Sequence, residues 1–184
     1  MPSEGQAPNT PDFSGDHTRR ITAFLRGIGL EVRSATLPDD TFLPGIWIES
    51  GALVVDENRL SYPGDLLHEA GHLAVLSPDE RAAATGEAPA DMGAEIAAQA
   101  WSYAAALASD TPLEVLFHDH GYKGASEWFH GLYAGGATPG VPLLAWYGMT
   151  VMPTLDGANA GQPEVFPRMT EWLRTTPNPP YPDT

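Results

Sequence analysis

The chain has 184 residues, with 9 Lys+Arg against 24 Asp+Glu and a net charge of −15. That length suits one domain with one real core, and an acidic chain without a basic run excludes a phosphate-backbone partner, so no nucleic acid is expected. The absence of cysteine excludes disulfides, thiolate metal sites and a cysteine nucleophile, leaving histidines and carboxylates as the available metal ligands.

Residues 1–15 are rich in Pro, Ser, Gly and Asn, with neither the basic nor the apolar region of a secretory signal. No apolar run approaches the ~20 residues of a membrane span. A cytoplasmic protein with no membrane partner is the expectation. Its organisation reads as a disordered segment over 1–15, a single domain over 16–174 and a Pro-rich tail over 175–184. Asp16 is placed to N-cap a first helix in which Ile21, Phe24, Leu25 and Ile28 recur at helical spacing, ended by Gly27 or Gly29. Leu30 to Leu37 reads weakly as a strand. Ile46 to Glu49 and Leu53 to Asp56 are stronger strands around Ser50-Gly51-Ala52, which predicts a β-hairpin.

From Pro63 onward the pattern is helical. Asp65 stands at an N-cap position, and Leu66, Leu67, Ala70, Leu73 and Ala74 give the next helix a broad apolar surface. Ser77-Pro78-Asp79-Glu80 has the form of a capping box opening a short helix. Pro89 to Ala108 is the longest candidate, and its many alanines suit a central helix closely packed on several faces. Shorter helices are expected from Thr111 to about His118, from Ser126 to Tyr133, from Pro142 to Tyr147 and from Pro167 to Arg174. The fold class is therefore α+β: a mostly helical domain under a small hairpin or sheet.

The chemistry-bearing residues are His68-Glu69-Ala70-Gly71-His72. Histidines four apart share one helix face, where two imidazole nitrogens can converge on one metal. Glu69 flanks that face, placed to take a proton from a metal-activated water and to return it to a leaving amine. With 6 His and 12 Glu in 184 residues, the pattern arises by chance in only about 1 chain in 80. The histidines also interrupt an apolar segment, where unpartnered imidazoles are costly to bury.

An open zinc site needs a third protein ligand. The extended motif with another histidine six residues on is excluded, because Pro78 stands there. Glu95 on the long Ala-rich helix is favoured, since its neighbours are nearly all apolar and a carboxylate among them wants a partner. Asp91, one turn earlier, is the competing ligand or a partner that orients an imidazole. His118 and His120 are further alternatives, and Tyr122 is a candidate donor to an oxyanion.

The helix from His68 to His72, followed by Glu95-Ile96-Ala97-Ala98-Gln99-Ala100-Trp101, resembles the gluzincin type of zinc metallopeptidase. In scale and layout it is similar to the small ImmA/IrrE-type enzymes, over about residues 46–108. The resemblance implies zinc held by His68, His72 and Glu95, with Glu69 as the base and a peptide or protein as substrate. Residues 109–184 match nothing in that family. Two functions follow as expectations: a zinc-dependent hydrolase of amide bonds, or a non-catalytic metal-binding regulatory or interaction protein that retains such a site.

Overall fold

A computed structural model describes residues 12–86, 91–121, 131–133 and 139–177. Its elements are α1 (Asp16–Gly27), β1 (Val32–Ser34), β2 (Ile46–Glu49), β3 (Ala52–Val55), α2 (Asp65–Val75), α3 (Pro78–Ala83), α4 (Met92–Ala108), α5 (Leu113–Leu116) and α6 (Val141–Trp146). The fold is mixed α+β, with helix exceeding strand and, among the described residues, no helix long and apolar enough to cross a membrane.

The expected hairpin forms. β2 runs antiparallel to β3 with Glu49 opposite Ala52, which leaves Ser50 and Gly51 as a two-residue turn with φ of 50° and 78°. Two consecutive left-handed residues match the twist of the flanking strands, which accounts for glycine at the second position. β1 joins β3 in parallel, giving the order β1-β3-β2. Val32, Ile46, Ile48, Leu53 and Val55 are buried in the core shared with α2 and α4, while Arg33, Trp47 and Glu49 are not buried. Alternation thus divides one face from the other in β1 and β2, whereas β3, flanked by both, is buried along its whole length.

Helices α2 and α4 form the centre. Leu66, Leu67, Ala70, Leu73 and Ala74 of α2 are fully buried, as are Ala97, Ala98, Ala100 and Trp101 of α4. Gly71 brings the two axes together: a β-carbon there would stand 2.7 Å from the Ala98 carbonyl oxygen and 2.9 Å from Ser102 Oγ. Ser102 Oγ in turn donates to the Leu67 and Ala98 carbonyls at 3.0 and 2.6 Å. The alanines of α4 act as expected, since small side chains permit this approach.

Several boundaries depart from the sequence expectations, each for a local reason. Asp16 is the first residue of α1 and not its cap. Gly15 takes the cap position, and the Glu57 carboxylate accepts from Ser14 N at 2.7 Å and Gly15 N at 2.8 Å. Phe13 is buried, so the folded body already includes residues just before Asp16; residues 1–11 of the segment expected to be disordered lie outside the described residues. His17 falls inside α1. Asp65 likewise follows its cap, Gly64, where any side chain would meet the Val115 carbonyl oxygen at 2.0 Å. The long helix begins at Met92, capped by Asp91, whose Oδ1 accepts from Ala94 N at 2.8 Å. α5 stops at Leu116, because Phe117 leaves helical geometry.

The helix expected over Pro167 to Arg174 does not form. Its amides bond to distant carbonyls instead of to the preceding turn: Thr170 N to Met149 O at 2.9 Å and Arg174 N to Ala74 O at 2.9 Å. Trp172 packs edge-on against both Phe24 and Trp101, and its carbonyl accepts from Trp101 Nε1 at 2.8 Å. Tertiary contacts override the local pattern here. Most of the helix expected over Ser126 to Tyr133, and the tail from residue 178, lie outside the described residues.

Candidate metal centre

His68 and His72 lie one turn apart on α2, with their Nε2 atoms 3.1 Å apart. Glu95 reaches them from the first turn of α4: Oε1 stands 3.5 Å from His68 Nε2, and Oε2 stands 3.2 Å from His72 Nε2. Ligands bound to one ion at about 2.0–2.1 Å with tetrahedral angles are separated from one another by about 3.3–3.4 Å. The observed separations, which involve both Glu95 oxygens, are close to that spacing, and two imidazoles with one carboxylate are a donor set that can hold zinc or another divalent metal. Gln99 Nε2 donates to Glu95 Oε1 at 3.1 Å and steadies the carboxylate one turn further along α4.

The electrostatics favour a cation. Burial first, and the neighbouring His72 second, hold His68 down at about 4 against the opposing pull of Glu95. Hydrogen bonding with His72 is the main influence on Glu95 and, together with the nearby His68, outweighs burial to hold its carboxyl at about 2. At neutral pH an uncharged His68 therefore faces an ionised Glu95, the protonation states that metal ligation requires. His72 is 6% exposed, and its Nδ1 has no hydrogen-bond partner among the described residues. Its Nε2 is the nitrogen that faces the other ligands.

Glu69 completes the cluster. Its carboxylate has an oxygen within 4.8 Å of a ring nitrogen of both His68 and His72, and it also lines a narrow crevice with Phe42, Leu43, Ile46, Ile48 and Gly86. β2 is the outer strand of the sheet, so the crevice runs along a strand edge. Part of that edge is already taken, because Gly86 N donates to Ile48 O at 2.8 Å and Ile48 N donates to Gly86 O at 3.4 Å. Residues 87–90 lie outside the described residues.

The other sequence candidates stand elsewhere. Asp91 is occupied at the α4 cap. His118 Nε2 bonds to Asp65 Oδ1 at 2.9 Å, and its ring stacks on Tyr62 with centroids 3.9 Å apart. His120 stacks on Tyr62 at 5.4 Å. These residues form a second aromatic and acidic cluster around the start of α2, and among the described residues the group able to hold a metal consists of His68, Glu69 and His72 without them. Tyr122 lies outside the described residues. Sequence reasoning missed Gly71, whose signal was a glycine inside an otherwise good helix. It also missed Phe42, Ile48 and Gly86, for which the chain carries no local signal.

No protein-family model, curated protein or solved structure matches the chain. The chemistry therefore rests on the geometry of the site.

Proposed function

We propose that the protein is a zinc-dependent hydrolase of amide bonds, with a peptide as substrate and a zincin-like site built on α2 and α4. The observation that carries this reading is the approach of Glu95 to His68 and His72 at 3.5 and 3.2 Å, with a further carboxylate, Glu69, in the same cluster. Bound there, zinc supplies a Lewis acid that polarises the scissile carbonyl and lowers the pKa of a water to about 7.

The chain's own residues do the rest. His68, His72 and Glu95 fix the ion, and Gln99 orients Glu95. The Glu69 carboxylate takes one proton from the attacking water and passes it to the departing amide nitrogen, so the base is regenerated in each cycle. The apolar wall of Leu43, Ile46 and Ile48 limits competing water around the developing charge. A site retained only for structure has no need of Glu69.

Glu69→Gln keeps the shape of the side chain and removes its basicity. Zinc content should be unchanged, and hydrolysis of a peptide that the wild type cleaves should fall by about 100-fold or more, the range of a positioned general base. Full activity in Glu69→Gln would refute the assignment of the base, and absence of any cleavage by the zinc-loaded wild type would favour the non-catalytic, metal-binding reading.

A further inference from the structure

On the side of the sheet away from the core lies a cavity of about 670 Å³, floored by Val54 and Trp47 and walled by the loop that follows β1. That size falls within the ordinary range of ligand sites. The wall is preformed. Leu37 N donates to Asp56 Oδ2 at 2.9 Å, and the Arg59 guanidinium bonds to the Leu37 and Pro38 carbonyls and pairs with Asp39 at 3.0 Å. A ligand entering here does not have to order the loop first, which removes a common cost of binding.

The charges around the cavity are unequal. Its one lining cation, Arg33, is already paired with Glu31 at 3.1 Å and with Glu49 at 3.0 Å. Asp40 and Glu49 also line the space, and Asp40 has no ion pair among the described residues. Trp47 offers an aromatic surface, which attracts cations through its quadrupole. Thr41 lines the same space, with its Oγ1 turned away from solvent. An aromatic floor and one carboxylate in excess of the lining cation, Asp40, together describe a site for a cation carried on an apolar stem, which is the chemistry of an arginine or lysine side chain.

Position connects this cavity to the metal centre. Trp47 lines both the cavity and the crevice beside Glu69, and the loop supplies Asp40 and Thr41 to one and Phe42 and Leu43 to the other. We propose that the cavity binds a basic side chain of a peptide whose neighbouring backbone lies across the mouth of the crevice beside Glu69. The link to cleavage rests on the proposed hydrolase function, whereas binding of the basic side chain does not. The chain's net charge of −15 is complementary to such a substrate and would steer its approach.

The test uses the full chain and three probes: the Nα-acetyl amides of arginine, norleucine and glutamate. Amide and indole resonances are followed by NMR during titration to about 50 mM, a range suited to single-residue ligands. The arginine probe should shift the Trp47 indole N–H and the Thr41 amide saturably, with norleucine weaker and glutamate inert. The double variant Asp40→Asn/Glu49→Gln should weaken the arginine probe about three- to ten-fold, as expected for two exposed charges. Equal binding of norleucine, preference for glutamate, unchanged affinity in the double variant, or absence of saturable shifts at Trp47 would each overturn the proposal. None of these readouts involves the metal, so failure here is distinguishable from failure of the hydrolase reading, which Glu69→Gln and zinc content test separately.

Discussion

Glu57 shows how much a single carboxylate can do away from the metal centre. Its oxygens accept from Ser14 N, Ser14 Oγ and Gly15 N at 2.7, 3.0 and 2.8 Å, so a residue just after β3 caps α1, whose own N-cap is a glycine without a side chain. Burial raises the Glu57 pKa, but the hydrogen bonds from Ser14, Gly15 and Thr18 outweigh it and hold the carboxyl below its ordinary 4.5. A group whose folded value is the lower one contributes its full stability above the unfolded value and loses it as pH falls through the folded one. Glu57→Gln should therefore cost about 1 kcal/mol at neutral pH, the size of a lost cap. The gap from wild type should close in acid, as pH falls through the lowered folded value. Urea unfolding at the two pH values checks this, and a gap that persisted in acid would show that charge is not the source. The sequence made His68, Glu69 and His72 legible because their spacing is local to one helix. Glu57 was illegible because its partners are 42 and 43 residues away.

At the scale of elements, the pair α2 and α4 decides whether a site exists at all. Glu95 can meet the histidines only if the two backbones approach closely, and Gly71 against Ala98 and Ser102 sets that approach. Gly71→Ala should force the helices apart, costing about 1–3 kcal/mol by overpacking and weakening zinc binding as Glu95 withdraws. Gly27→Ala is the control, because a β-carbon at Gly27 meets nothing within 4 Å and the change should be neutral or mildly stabilising. Denaturation and zinc titration of both variants test the claim, and a Gly71→Ala protein with wild-type stability and affinity would contradict it. The hairpin, α2, α3 and α6 were readable from alternation, apolar spacing and caps. The region from Pro167 to Arg174 was not, because its backbone bonds to Met149 and Ala74 and its tryptophan to α1 and α4. Such long-range contacts leave no periodic trace in the chain.

For the whole molecule, zinc held by His68, His72 and Glu95 as proposed would tie the two central helices to one another, and those helices carry much of the core. A ligand bound only by the folded state stabilises by mass action, about 2.7 kcal/mol at a hundredfold excess over Kd. Chelation should therefore lower Tm, and zinc should restore it. The claim that His68, His72 and Glu95 form one site is tested most directly by calorimetric titration of zinc into the metal-free wild type and Glu95→Gln. The wild type should take up one equivalent, and Glu95→Gln should bind at least about 100-fold more weakly, since even groups one step removed from a metal are worth about 10–100-fold. Equal affinity in the two proteins, or no zinc uptake by the wild type, would contradict the account.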